Sequence, residues 1–160
     1  MTTRAYLGQI DMLRCKIENK MEERYRLQQL AYRITVPIEG ERVKSTSNPD
    51  RMTDAVAKII ACEMDLNSVI EQFIDKRNEI IALIDTMESQ NSYSVLTYRY
   101  VQGLSDKDIA IKLGINSLSG VKKIHKKALI EFEDKFGPKY LTTEDTFERE
   151  RKKEFDVWRE

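Results

Sequence analysis

The chain has 160 residues, 41% of them hydrophobic and 34% charged, with only six Gly and three Pro, and its 27 basic and 27 acidic residues cancel. This composition favours long helices over a fold that contains a sheet, and it excludes a membrane-spanning protein because no apolar run is long enough. The first residues lack the apolar core of a signal peptide, so we expect a cytoplasmic protein.

The first predicted helix covers Thr3 to Ile34. Its apolar side chains recur at approximately helical spacing, which is typical of a helix with one buried side. They are Tyr6, Ile10, Leu13, Ile17, Met21, Leu27 and Leu30.

A second, longer helix is predicted from Pro49 to Met87, with Asn48-Pro49 as its N-cap and first turn. Glu63 and Arg77 interrupt its apolar stripe, whose members alternate in steps of three and four residues. The members are Met52, Val56, Ile59, Leu66, Ile70, Phe73, Ile80, Ile84 and Met87. Such a helix is about 55–60 Å long and needs the first helix, a second copy of the chain, or both to cover its stripe. We therefore expect an antiparallel, coiled-coil-like hairpin over 1–88 that forms a homodimer or binds a partner.

Residues 36–50 join the two helices and contain Pro, Gly and a Ser/Thr/Asn cluster, which predicts a mobile loop. Arg42 and Lys44 could make it a partner-binding or DNA-contacting arm. A solvated hairpin loop is the favoured interpretation.

The segment Leu104–Leu129 carries the most specific chemical pattern. Ser105 is a predicted helix N-cap, and Ile109, Ala110 and Leu113 follow at helical spacing. Gly114 can adopt the left-handed conformation of a turn, after which Val121, Ile124 and Ala128 give a second helix its buried side. This arrangement is a helix-turn-helix, which we assign to a head domain over 89–136.

The outer side of the second helix is dominated by lysine. With about 100° per residue, five side chains lie opposite the buried side. They are Ser119, Lys122, Lys123, Lys126 and Lys127. Residues 91–130 carry a net charge of +5, whereas 1–90 and 131–160 carry −2 and −3, so the positive charge is concentrated on the head. An ordinary solvated face would explain four lysines alone, but the preceding helix-turn pattern favours DNA binding.

After the head, Gly137-Pro138 predicts that the second helix ends near Phe136. A tail over 137–160 contains a predicted helix that begins at Thr142 or Thr143, with Phe147, Phe155 and Trp158 on one side. This helix could dock on the rest of the chain or serve as a contact for RNA polymerase.

Catalytic and metal-binding chemistry is not predicted. His125 is the only histidine, so we expect it to pack at the edge of the head or to bond a phosphate. Cys15 and Cys62 differ by about nine residues in hairpin register, or about 14 Å of helix rise, too far for a disulfide or a shared metal. The acidic residues form no paired constellation and there is no phosphate-binding loop, so we expect neither an enzyme nor a cofactor.

Three tyrosines precede the head's helix-turn-helix: Tyr93, Tyr98 and Tyr100. Together with Arg99 they could stack on single-stranded nucleic acid. Their helical spacing favours packing at the edge of the core instead.

The segment Leu96–Leu129 resembles the helix-turn-helix of sigma factor region 4, the module that reads the −35 promoter element. Residues Gly103–Gly114 match the Gly-Leu-Ser-x-x-x-Ile-Ala-x-x-Leu-Gly run of that module, and Val121 and His125–Leu129 match its recognition helix. In this chain Val121 follows Gly114 by seven residues instead of the usual six, so the turn is one residue longer.

Over about residues 3–133 the chain is also similar to small phage and prophage late-transcription regulators of the RinA and ArpU kind. Their characteristic stretch corresponds to Glu41–Val43 and Asp50–Ile60. This resemblance implies a regulator that binds promoter DNA inside a bacterial host cell, with RNA polymerase as a further partner.

The resemblance to sigma region 4 implies which residues contact double-stranded DNA. Ser119, Lys122 and Lys123 would approach base edges, together with Leu118 and Ser117 from the turn. Lys126, Lys127, Lys107 and the backbone near Ser105 would contact phosphates. The alternative is a protein without enzymatic activity that binds RNA polymerase or a phage partner, or a DNA-packaging recognition subunit.

Overall fold

The computed structural model describes residues 2–35 and 49–140. Within these ranges the chain is helical apart from short turns and contains no strand, so the predicted all-α fold is confirmed. The predicted loop lies outside the described residues except for Pro49 and Asp50, which belong to a helix. The predicted tail helix, with Phe147, Phe155 and Trp158, also lies outside them.

Six α-helices and one π-helical turn follow one another in the described ranges. They are α1 (Thr3–Leu7), α2 (Gln9–Thr35), α3 (Pro49–Ile84), α4 (Gln90–Leu96), the π turn (Thr97–Val101), α5 (Asp106–Leu113) and α6 (Leu118–Tyr140).

The chain forms two compact units. One unit, the hairpin unit, is Met12–Asp75, and the other combines Met1–Asp11 with Lys76–Glu160, as far as these ranges are described. The predicted boundaries, 1–88, 89–136 and 137–160, divide the chain differently. The difference arises because α1 packs on α6, which brings the N-terminal residues into the unit that contains the head.

In the hairpin unit, α2 and α3 run antiparallel. The Lys20 ammonium lies 3.3 Å from the Asp65 carboxylate, and Arg24 lies 4.0 Å from Glu63. Residue numbers therefore increase along α2 as they decrease along the facing side of α3. Cys62 is buried and its thiol donates to the carbonyl oxygen of Lys20 at 3.7 Å. Cys15 is exposed, and both cysteines are free.

The contact seam on α3 differs from the predicted apolar stripe. Ile59, Leu66 and Phe73 are buried or half-buried as predicted, and Cys62, which the predicted stripe leaves out, is buried between Ile59 and Leu66. Val56 is 40% exposed. The predicted stripe therefore combined two neighbouring sides of the helix, of which α2 covers one.

In the other unit, α6 packs against α1, α4 and α5. Tyr6 of α1 donates a 2.6 Å hydrogen bond to Glu79, and its ring lies 6.3 Å from the ring of Phe132 on α6. Thr3 donates to Glu133 at 3.0 Å. These contacts hold the N-terminal helix against the back of α6.

Three predicted helix boundaries are wrong. The first tract is two helices because the chain turns at Gly8, a residue of low helix propensity. Helix α3 ends at Ile84, and Met87 is buried in the turn that follows. Helix α6 continues through Gly137 and Pro138 to Tyr140 instead of ending near Phe136.

Candidate nucleic-acid interface

A small apolar cluster fixes α5 and α6 relative to each other. Val95, Ile109, Ala110 and Val121 are at most 9% exposed. Five partly buried side chains pack around them: Tyr98, Leu104, Leu113, Ile115 and Ile124. The predicted inward positions of both helices thus meet in one core, which makes the outer side of α6 a rigid surface.

The entry to α5 is held by a π turn and an N-cap. Gly103 has a φ of 69°, and Leu104 N–H donates to the Tyr98 carbonyl oxygen at 2.9 Å, which ends the π turn. The Ser105 hydroxyl accepts a 3.3 Å hydrogen bond from Asp108 N–H and donates to the Asp108 carboxylate at 2.6 Å. The predicted N-cap is therefore confirmed.

The turn between the helices depends on Gly114. Its φ of 64° and ψ of 30° are left-handed, as predicted, and its N–H bonds the Ile111 carbonyl oxygen at 3.2 Å. The following N–H, of Ile115, bonds the Ala110 carbonyl oxygen at 2.8 Å. These two hydrogen bonds terminate α5 and direct the Ile115 side chain back to the core.

Ser117 begins α6. Its hydroxyl accepts from Gly120 N–H at 3.1 Å, which satisfies one of the unpaired donors of a helix N-terminus. The Ser119 hydroxyl donates to Ser117 Oγ at 3.3 Å. A Cβ on Gly120 would lie 2.8 Å from the Ile115 side chain, so the turn packs directly on the first turn of the helix.

The four α6 lysines all lie on the exposed side of the helix. Lys122, Lys123, Lys126 and Lys127 are exposed, whereas Val121 and Ala128 are fully buried, so the predicted division of the helix is confirmed. None of the four ammonium groups bonds another residue within the described ranges.

Three lysines elsewhere in the described ranges lie in ion pairs, unlike these four. Lys20 pairs with Glu23 and Asp65, Lys76 with Glu79, and Lys135 lies 3.8 Å from Glu88. The cluster on α6 therefore holds positive charge that nearby carboxylates do not neutralise.

The remaining predicted contact residues divide between the two helices. Ser117, Leu118 and Ser119 lie at the exposed start of α6 with the lysines, and Leu118 is 44% exposed. Ser105 and Lys107 are exposed at the start of α5. Ser105 and Ser117 are both exposed, and each accepts a hydrogen bond from a nearby backbone N–H. Each serine therefore caps its helix whether or not a ligand is bound.

His125 lies inside the head. It is 4% exposed and its Nε2 is 3.0 Å from the Tyr100 hydroxyl, which leaves packing and not phosphate bonding as its role. Burial first, and the nearby charges of Arg99 and Arg4 second, lower the pKa of His125 to about 4 against an opposing effect of Asp106. The imidazole is therefore neutral near pH 7.

Tyr98 and Tyr100 pack in the core region, as favoured from the sequence, and Tyr93 is half-buried. Tyr100 is buried, and burial raises the pKa of its hydroxyl. Tyr98 packs on the apolar cluster, with the Lys112 ammonium 4.9 Å from its ring centre. Arg99 is bonded to the Asp106 carboxylate, which joins the π turn to α5.

Two features of this region were not predicted. The π turn has no signature in the apolar spacing, since it adds one residue between ordinary helical positions. Ile111 is 79% exposed on α5, and its position two residues after Ile109 is the signal that could have placed it outside.

Comparison with protein-family models, curated proteins and solved structures gives no match. Among the helices that the structure describes, none has the length and apolar character that a bilayer-spanning segment requires. In the same part of the chain, no three histidine, cysteine or acidic side chains gather where they could share a metal ion.

Proposed function

We propose that this protein is a transcription regulator that binds double-stranded DNA through the exposed side of α6. The observation that carries this proposal is a set of four lysines, without a bonded partner among the described residues, on one side of a helix whose other side is buried. A helix of this kind presents a fixed row of cations to a polyanion, and an α-helix fits the major groove.

The contacts would divide along α6. Leu118, Ser119 and Lys122 lie on its first turns, where a recognition helix meets base edges. The exposed Leu118 side chain suits a thymine methyl group, and lysine can donate to guanine O6 and N7. Lys126 and Lys127, one turn further on, would bond phosphates together with Lys107 from α5.

The resemblance to sigma factor region 4 extends the proposal to promoters. In that view the protein is phage-encoded, acts in the cytoplasm of a bacterial host at a −35-like element, and also contacts RNA polymerase. Binding alone, without catalysis or a cofactor, would provide the activity.

Salt dependence of DNA binding tests the proposal. The chain would be titrated into a labelled duplex at several salt concentrations, with affinity read from fluorescence anisotropy. A dimer that makes six to ten phosphate contacts loses about 10³–10⁵-fold in affinity between 50 and 200 mM salt. A slope near zero would exclude DNA as the ligand of α6.

Two matched triple variants locate the interface. Lys122/Lys123/Lys126→Ala and Lys16/Arg51/Lys58→Ala each remove three exposed positive charges, the first from α6 and the second from the hairpin unit. Only the α6 variant should weaken binding and flatten the salt dependence. Equal losses in both variants would mean that total charge, and not the face of α6, determines affinity.

An interaction protein that binds RNA polymerase or a phage partner without reading DNA is the second candidate, and a DNA-packaging recognition subunit is related to it. The observation that favours protein binding is Ile111, an apolar side chain 79% exposed on α5. Ile111→Ser should then abolish partner binding, whereas it should leave DNA affinity unchanged if α6 binds DNA as proposed.

A further inference from the structure

A groove lies between α6 and the turn that joins α3 to α4. Its volume is about 820 Å³. Lys127, Ile130, Glu131 and Asp134 line it from α6, and Glu88 lines it from the turn. We call it the α6 groove. Because Lys127 belongs to it, the groove borders the proposed DNA interface.

Hydrogen bonds hold the two walls of the α6 groove together. Ser89 N–H donates to the Glu131 carboxylate at 3.3 Å, and the Lys135 ammonium donates to the Thr86 carbonyl oxygen at 2.5 Å. Ile130 is 51% exposed, and Asp134 is exposed as well. The groove therefore offers an apolar side chain beside a carboxylate, which suits a segment with apolar and basic side chains.

The charge of α6 changes sign along its length. Residues 117–130 carry a net charge of +4, and residues 131–136 carry −2. Asp134 is about two turns after Lys127 and lies on the same side of the helix. Along one side, α6 therefore presents a positive stretch and then a negative one.

The C-terminal segment 141–160 carries charge in the complementary order. Residues 147–153 have a net charge of +2, and residues 154–160 have −2. Phe147, Phe155 and Trp158 give the predicted tail helix one apolar side. The segment lies outside the described residues.

The length of the chain brings the two charge patterns together. Helix α6 continues to Tyr140, and the predicted tail helix begins at Thr142 or Thr143, which leaves a connection of the length that joins two antiparallel helices. Both helices rise about 1.5 Å per residue. After such a reversal, 147–153 would lie beside about 130–136, and 154–160 beside about 123–129. Each stretch of the segment would then face a stretch of α6 with the opposite charge.

We propose that the α6 groove binds the C-terminal segment 141–160 of the same chain, and that the bound segment covers Lys123, Lys126 and Lys127. Its apolar side packs on Ile130, its basic stretch faces Asp134, and its acidic end faces the lysines. A tether of a few residues gives the segment a high effective concentration, so modest contacts suffice.

The consequence for DNA rests on the proposed function. A segment that covers the lysines competes with phosphates for them, so binding of the segment and binding of DNA weaken each other. The C-terminal segment is then an autoinhibitory element of the head.

Trp158 is the only tryptophan of the chain, so its fluorescence reports whether the segment is bound. In the full-length wild type we expect emission at shorter wavelength than in urea, and no change on dilution because the contact is intramolecular. Ile130→Asp should move the emission most of the way to the unfolded position. Ile74→Asp is the matched control, at a residue 48% exposed on α3, and should leave the emission unchanged.

Asp134→Lys is a second groove variant, at an exposed position where folding is not at stake. It should give the same shift as Ile130→Asp, with the helix content of the wild type by circular dichroism. Wild-type emission equal to that of the unfolded chain, or no shift in either groove variant, would overturn the assignment. A shift on dilution would place the segment of a second copy in the groove and would also contradict it.

Neutralising the acidic end of the segment tests the competition with DNA. Glu154/Asp156/Glu160→Gln/Asn/Gln removes three carboxylates from the segment, and Glu18/Asp54/Glu71→Gln/Asn/Gln removes three exposed ones from the hairpin unit. A segment that is bound about nine-tenths of the time would, once released, raise DNA affinity about tenfold, and the control should raise it much less.

Equal gains in the two triple variants would mean that total charge acts, and would overturn the autoinhibition. If no variant binds DNA while Trp158 reports a bound segment, the groove assignment stands, and the autoinhibition falls with the DNA function.

Discussion

The hydroxyl of Tyr100 and Nε2 of His125 lie 3.0 Å apart in the interior of the head, where each side chain is 4% exposed. Tyr100 lies in the π turn that precedes α5, and His125 is on α6 between the lysine pairs. The bond therefore anchors the inner side of the helix whose outer side is the proposed DNA interface.

Tyr100→Phe tests the stabilising effect of this bond. The variant removes one hydroxyl and leaves a buried histidine nitrogen without its partner, so the free energy of unfolding should fall by about 1–3 kcal/mol. Urea unfolding measures the change. Tyr98→Phe is the control, since Tyr98 is only partly buried, and it should cost less than about 0.5 kcal/mol. Equal costs would show that the Tyr100 hydroxyl has no special role.

The buried histidine predicts an acid-sensitive fold. The pKa of His125 is about 4 in the folded chain and close to 6.5 when unfolded, so between these values the unfolded chain binds the additional proton. Stability is fully present above pH 6.5 and should decrease as the pH falls towards 4, by up to about 1.4 kcal/mol per pH unit.

His125→Gln isolates this effect, because glutamine can still bond Tyr100 but does not titrate. Urea unfolding from pH 7 to pH 5 keeps most carboxylates ionised in both proteins. The wild type should lose stability across this range and the variant should not. Parallel pH profiles would assign the acid sensitivity to other groups.

Replacing Gly114 by alanine should destabilise the fold, although the space around it is open. No atom lies within 4 Å of a Cβ built on Gly114, so any cost comes from its φ of 64° and not from a clash. Gly114→Ala should reduce the free energy of unfolding by about 1–2 kcal/mol. Gly114→Asn should cost less, because asparagine adopts the left-handed region more readily. Thermal denaturation of the three proteins gives the order, and alanine equal to glycine would contradict it.

The two serines at the start of α6 should separate structure from binding. Ser117 caps the helix through Gly120 N–H, so Ser117→Ala should cost about 1 kcal/mol of stability. Ser119 bonds only the Ser117 hydroxyl, so Ser119→Ala should leave stability nearly unchanged and affect DNA affinity alone. Chemical denaturation and anisotropy on both variants test this, and the reverse pattern would exchange the two roles.

The helical class and the local geometry around Gly114 follow from short-range rules. Ser105, Gly114 and Val121 were assigned their cap, turn and core positions from spacing alone, because each depends on neighbours within a few residues. The side of α6 that carries the lysines follows from the same periodicity.

The α2–α3 seam could not be predicted in this way. The apolar side chains of α3 cover more than one side, so spacing alone does not show that Cys62 is buried while Val56 is exposed. Contacts between distant residues decide, as in the Lys20–Asp65 pair. The same reason explains α1, whose place against α6 depends on Tyr6 meeting Glu79 and Phe132.

The most direct test of the central claim is selection of bound fragments from sheared bacterial genomic DNA at about 150 mM salt, where non-specific electrostatic binding is already weakened. The wild type and the Lys122/Lys123/Lys126→Ala variant would be compared after circular dichroism has shown equal helix content. The account predicts enrichment of one or a few intergenic sites by the wild type and none by the variant. No enrichment by the folded wild type, or the same sites recovered by the variant, would contradict it.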